Sequence, residues 1–314
     1  MNESTYPIGT PGIPWADQER SEWLSRQQVQ RSYEELALRA IQSLEGQYLV
    51  DCYGRLSATP ERYPLYALRS KTHVEGNPTA LVTGGVHGYE TSGVLGALRF
   101  LTTSASDYQD RVNLVVAPCI SPWAFETINR WNRSAIDPNR SFTPGSPAEE
   151  SQLLLDYIAA LGLDFDLHID LHETTDTDES EFRPALAARD GKPPPSWEEI
   201  PEGFYLVGDS DNPQPEFQAA IITAVSGVTH IAKADGSGRI IGEPVEQDGV
   251  INYPVRSLHL CAGITDAPLT TTTEVYPDSP RVDGENCILA QVTAVNAALD
   301  FLLARTGARQ PPRA

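Results

Sequence analysis

Short apolar runs of strand type alternate with helical segments, and this alternation limits the fold more than any other feature of the chain. Ala80 to Thr83 is a brief apolar run that ends in Gly84-Gly85, the pattern of a buried strand running into a tight loop. Thr91 to Leu101 reads as a helix, Val112 to Ala117 as a strand, Ala148 to Leu161 as a helix and Phe165 to His172 as a strand, with a polar loop reaching residue 147. Further on, Phe204 to Val207 reads as a strand, Pro215 to Val225 as a helix and Leu269 to Tyr276 as a Thr-rich strand. Ile288, Leu289, Val292, Val295, Leu299 and Leu302 mark a final amphipathic helix. Upstream, Val29, Tyr33, Leu36, Ala37, Ala40, Ile41 and Leu44 predict one helix closing near Gly46, followed by strands at Tyr48 to Tyr53 and Tyr63 to Leu68. Apolar strands separated by helices predict an α/β fold: a mostly parallel, mixed central sheet with helices on both faces. Ligands of such sheets bind beyond the carboxyl ends of the strands.

Neither a repeat nor a linker divides the sequence. The expectation is one domain over 15–307, an irregular Pro/Gly-rich arm over 1–14 and a disordered tail over 308–314. Residues 174 to 202, acidic and then Pro-rich, read as a loop. With 23 Lys and Arg against 43 Asp and Glu, the net charge is −20, which argues against nucleic acid and anionic lipid as partners. No run of about 20 apolar residues predicts a membrane span, and the first residues lack a signal-peptide pattern, so a cytoplasmic location is expected. Cys52, Cys119, Cys261 and Cys287 are far apart with no C-x-x-C pair, which predicts free thiols.

Four clusters carry chemistry. In Gly84-Gly85-Val86-His87-Gly88-Tyr89-Glu90 an imidazole and a carboxylate three residues apart stand between a strand and a helix, where they could share a metal ion or be two turn residues. Along Asp166 to His172 the even positions share one strand face; His172 lies at the carboxyl end, and His168, about 13 Å deeper, reads as a hydrogen-bonded core histidine. Asn129-Arg130-Trp131-Asn132-Arg133 and Asp137-Pro138-Asn139-Arg140 make a positive island in an acidic chain, suited to gripping a carboxylate. Glu274 closes the Thr-rich strand, where a carboxylate could serve as a general base.

In this combination and order, over about residues 60 to 305, the chain resembles the zinc metallocarboxypeptidase superfamily, carboxypeptidase A type enzymes together with the aspartoacylase and succinylglutamate desuccinylase branch. The resemblance implies one zinc per chain held by His87, Glu90 and His172, with Asp137 orienting a zinc-binding histidine. It further implies that Asn139 and Arg140 bind a substrate carboxylate, that Arg133 polarises the scissile carbonyl, that Glu274 is the base and that Tyr253 closes over substrate. Arg256, His259 and Asp266 are candidates for setting specificity. The implied activity is that of a carboxypeptidase acting on a peptide, because little chain follows Glu274; the alternative is hydrolysis of a small N-acyl amino acid, toward which the two histidine motifs lean. A binding protein that has lost catalysis is a third class, opposed by the full set of ligands and base.

Overall fold

Strand polarity and helix placement follow from which positions along the chain are apolar. The computed structural model describes residues 6–193 and 199–307; the expected tail over 308–314 and part of the Pro-rich loop lie outside them. The elements run α1 (Asp17–Arg26), a π-helical turn (Glu34–Leu38) leading into α2 (Arg39–Ser43), β1 (Leu49–Arg55), β2 (Pro64–Arg69), β3 (Thr79–Gly84) and α3 (Thr91–Thr103). They continue with β4 (Asn113–Ala117), α4 (Pro122–Thr127), α5 (Glu149–Leu161), β5 (Leu167–Glu173), α6 (Arg183–Arg189), β6 (Tyr205–Asp209) and α7 (Pro215–Val225). A small hairpin, β7 (Arg239–Ile240) and β8 (Glu243–Pro244), precedes β9 (Val250–Tyr253), β10 (Leu269–Val275) and α8 (Gly284–Gly307).

Eight strands form one sheet in the order β1-β2-β4-β3-β5-β10-β6-β9. The centre, β4-β3-β5-β10, is parallel. The β1-β2, β2-β4 and β10-β6 pairs are antiparallel, and β9 adds parallel to β6, so the sheet is mixed as expected. Side-chain alternation divides it into two faces. Ala80, Val82, Leu114, Val116, Leu167, Ile169 and Leu171 share a core with Val94 and Ala97 of α3 and Val295 and Leu299 of α8. Leu81 and Val115 point the other way, into a cluster that includes Ile158 and Leu161 of α5. Each fully buried Val, Leu or Ile side chain among them contributes about 1.5–3 kcal/mol. In β5 the second face carries His168, Asp170 and His172, all buried.

By length and composition α8 could cross a membrane, with a mean hydropathy of 1.7 over its most apolar window. The sequence reading did not register this. Here Ala290, Ala294, Val295, Ala298 and Leu299 of that helix are fully buried in the core between α3 and α7.

The upstream helix is shorter than its pattern predicts. Val29 is 52% exposed and lies outside any helix, because Gln30 and Arg31 are drawn out to donate their backbone N–H groups to Glu126 O. Arg31 also donates to Phe125 O, Gly88 O and Thr91 Oγ1, tying this segment to the loop after β3. Three helices had no expectation: α1 and, inside stretches read as loop, α4 and α6. The latter two have six and seven residues, too short to show a helical period.

Candidate metal centre and substrate cavity

The loop after β3 places two groups of opposite character on one point. Two of its glycines are required by close packing. A Cβ on Gly88 would lie 2.0 Å from Ala124 C, and Gly85, at φ +63°, would put one 2.5 Å from Val94 Cγ2. The loop therefore lies flat against α3 and α4, and His87 and Glu90 are 2% and 1% exposed. His172 arrives from the carboxyl end of β5, also buried, and one potential ligand atom from each of His87, Glu90 and His172 lies within 4.8 Å of the others.

The Glu90 carboxylate stands between two imidazoles. Its Oε1 is 2.6 Å from His87 Nδ1 and its Oε2 is 2.8 Å from His172 Nδ1. Both histidines thus turn Nδ1 inward and Nε2 outward, and each Nε2 meets a second carboxylate. Asp137 Oδ1 is 3.0 Å from His87 Nε2, and Asp170 Oδ2 is 2.7 Å from His172 Nε2. A carboxylate on Nε2 favours the form in which Nε2 carries the proton once Nδ1 is given to a metal ion. Burial raises the Glu90 carboxyl, but the two histidines outweigh it and hold the group below its ordinary value. Glu90 Oε2 is buried and, beyond the approach of His172 Nδ1, has no hydrogen bond among the described residues. Two imidazole nitrogens converging on one buried carboxylate are a nitrogen and oxygen donor set that fits zinc.

Asp137 begins a helical turn over Pro138–Arg140 by accepting from Asn139 N at 2.9 Å. Its other oxygen accepts from Arg130 Nε at 3.0 Å. Burial pushes the Asp137 carboxyl up, yet Arg130 and then His87 keep it well below the usual carboxylate range. Arg130 also donates to Asp178 Oδ1 at 3.0 Å and Tyr89 Oη at 3.2 Å.

Glu274 is brought to the centre by strand register: in the parallel β5-β10 pair it lies opposite His172. Thr174 Oγ1 donates to Glu274 Oε2 at 2.9 Å and is itself 2.7 Å from Tyr205 Oη. Burial pushes the Glu274 carboxyl up to about 8, with His172 opposing. Glu173 is raised to about 7 by burial, but it is occupied otherwise, accepting from the Thr91 and Ser92 N–H groups at the start of α3.

A cavity of about 550 Å³ opens over these groups. His87, Glu90, Asp137, Asn139, Arg140, Tyr253 and Glu274 line it, as do Arg130, Val207, Leu260 and Thr272. Asn139 is held by its Oδ1, which accepts from Cys261 N at 2.8 Å. Arg140 donates to the Asn139 carbonyl at 2.7 Å and forms no ion pair within 4 Å among the described residues, leaving its charge available to a ligand. Arg133 is the exception among the expected residues. It lines a separate cavity of about 150 Å³ beside Glu149 and Glu150, with its guanidinium 5.7 Å from the Trp123 ring centre. The arginine of that segment which reaches the site is Arg130, because the backbone turns between Asn132 and Ile136. Arg256 and Asp266 pair with each other at 2.6 Å and, like His259, do not line the cavity.

Asp170, Thr174 and Asp178 had no assigned role in the sequence reading. Asp170 was within reach of it: two residues before His172, it must share that residue's strand face.

With this geometry in view, likeness to other proteins becomes informative. The succinylglutamate desuccinylase/aspartoacylase catalytic domain matches residues 76–190, the segment holding all three proposed ligands, Asp137, Asn139 and Arg140. That match spans the part of the chain from β3 to α6. No curated protein matches the chain. Among solved structures, a candidate metallopeptidase from Shewanella amazonensis SB2B is 21% identical with a TM-score of 0.65, covering 86% of this chain and 92% of that one. Carboxypeptidase A from Helicoverpa armigera is 14% identical with a TM-score of 0.56, covering 96% and 75%. A metallo-carboxypeptidase from Pseudomonas aeruginosa, in complex with (2-guanidinoethylmercapto)succinic acid, is 15% identical with a TM-score of 0.54, covering 92% and 70%. At these identities the likeness shows that the chain has the carboxypeptidase fold.

Proposed function

We propose that the protein is a zinc-dependent metallocarboxypeptidase that hydrolyses the C-terminal amide bond of a peptide or peptide-like substrate with a free carboxylate. One observation carries this reading: Arg140, with no carboxylate within 4 Å among the described residues, lines the same cavity as Glu274 and as His87 and Glu90, which group with His172. Zinc bound by those three residues, one per chain, would supply Lewis acidity and lower the pKa of water. Arg140, with Asn139, fixes the substrate carboxylate, which sets the scissile amide at a constant place. Glu274 accepts a proton from the attacking water and returns it to the departing amine. Arg130 takes the part that the resemblance gave to Arg133, a cation facing the developing negative charge. Tyr253, on the wall beside Arg140, covers the bound terminus. The reaction needs neither nucleic acid nor membrane, and we assign the protein to the cytoplasm.

The match over residues 76–190 favours a second reading, a deacylase acting on N-acyl amino acids, which uses the same residues. The experiment that separates them is a hydrolysis screen of zinc-loaded protein against dipeptides with free C-termini and against N-acetyl and N-succinyl amino acids. Faster release from dipeptides, abolished by a chelator, supports the carboxypeptidase. Preference for the acyl amino acids supports the deacylase, and turnover of neither class overturns both.

A further inference from the structure

Behind His172 a chain of hydrogen bonds continues into the sheet, away from the cavity. Asp170, whose Oδ2 meets His172 Nε2, accepts on its other oxygen from Thr83 Oγ1 at 2.6 Å. Thr83 Oγ1 is in turn 3.0 Å from His168 Nε2 and 3.6 Å from Cys261 Sγ. Strand register creates the row: Thr83 lies opposite Asp170 in the parallel β3-β5 pair, and His168 precedes Asp170 by two on the same face. Thr83, His168 and Asp170 are all 0% exposed, so water cannot replace any member.

The donor directions are determined by chemistry. A carboxylate only accepts, so the Thr83 proton points to Asp170 and the Thr83 oxygen is left to accept. His168 must then give it the Nε2 proton. His168 is a neutral imidazole, since burial lowers it to about 4. The result is a directed line from His168 through Thr83 to Asp170, whose two oxygens receive Thr83 and His172.

We propose that Thr83, held by His168, is a positioning residue of the metal centre. It fixes the Asp170 carboxylate in the rotamer that holds His172 with Nδ1 toward Glu90. This inference rests on the zinc reading above. It gives His168 a part beyond the core packing that its depth on the strand suggests.

The test measures zinc affinity by competition with a chromophoric chelator, together with folding by circular dichroism. Thr83→Val keeps the shape and removes the hydroxyl, and its zinc affinity should fall by about 10-fold to 100-fold, the usual range for loss of such a support. Thr83→Ser should restore it to within about 2-fold, a rescue that a purely steric role would not show. Should Thr83→Val not fold, the comparison is His168→Gln, which retains an N–H donor, with His168→Leu, which does not. The glutamine variant should bind zinc more tightly by about 10-fold. Folded Thr83→Val with wild-type affinity, or equal affinities for the two His168 variants, overturns the positioning role while leaving the zinc site standing. A wild-type protein that binds no zinc overturns the zinc reading and this one with it.

Discussion

Glu274, which the proposed function makes the base, is buried at the end of β10 opposite His172, and burial raises its carboxyl to about 8. Glu274→Gln keeps the shape, leaves His87, Glu90 and His172 untouched and removes the basicity. Zinc content and folding should survive while kcat falls by about 10² or more. A zinc-loaded variant with near-normal kcat would move the base elsewhere. Arg140→Ala is expected to act differently, raising KM sharply for a substrate with a free carboxylate and little for its amide-blocked analogue. Equal losses on both substrates would leave Arg140 only a structural part. Outside the site, Glu150 tests what burial alone does to a carboxyl. It is 3% exposed and raised to about 7, chiefly by burial, with one long hydrogen bond of 3.4 Å from Asn132. Because the folded value exceeds the unfolded one, this group's contribution to stability is complete below about pH 4.5 and lost as pH rises through about 7. Glu150→Gln has no such loss, so its stability relative to wild type should improve between pH 5 and pH 8 by up to about 3 kcal/mol. Denaturant unfolding at the two pH values reads this directly, and parallel pH profiles would show that the carboxyl is not held neutral by the fold.

Packing between elements transmits to the site through α8. Gln291 of that helix donates to the His172 carbonyl at 2.8 Å and accepts from Thr273 Oγ1. It can do so only because α3 has a glycine where the helices cross, as a Cβ on Gly96 would lie 2.6 Å from Gln291 Cβ. Gly96→Ala would gain about 1 kcal/mol of helix propensity. The overpacking costs about 1–3 kcal/mol, and the contact is with a Cβ rather than a flexible side-chain end, so the loss should win. Lower thermal stability is expected, and an unchanged or raised Tm would show that α8 can shift freely. These elements also show what the sequence could reveal. The central strands, α3, α5, α7 and α8 were legible because each has an apolar period, and the gathering of His87, Glu90, His172 and Glu274 in one place was legible because they stand at neighbouring strand ends. Arg130 was not. Choosing between Arg130 and Arg133 requires the path of a loop fixed by Asn132, whose N–H donates to Ile136 O and whose Oδ1 accepts from Ser134 N. No periodicity encodes that. Thr83 was hidden for another reason: a threonine in a β-branched strand looks like strand propensity until the neighbouring strand's register is known.

For the whole molecule, the excess of acid sets how stability responds to salt. With 43 acidic against 23 basic side chains, mean repulsion between surface carboxylates opposes the compact state. Against it stand ion pairs such as Arg99 with Glu285 at 2.7 Å and Lys233 with Asp248 at 2.8 Å, both between largely exposed side chains. Exposed pairs of this kind contribute about 0–1 kcal/mol each. Salt weakens both terms, since the screening length falls from about 30 Å at 0.01 M to about 3 Å at 1 M. The repulsion is summed over many carboxylates at long range, whereas each ion pair acts at contact. Moderate salt therefore removes more repulsion than attraction. The expected result is a Tm that rises by a few degrees between about 0.01 and 0.5 M NaCl, measured at constant pH with zinc saturating. The proposed role of Arg140 predicts the opposite response at the cavity: screening would weaken its attraction for a substrate carboxylate, so KM for that substrate should increase over the same range. A Tm that falls with salt would mean that the ion pairs, not the excess of acid, dominate the surface.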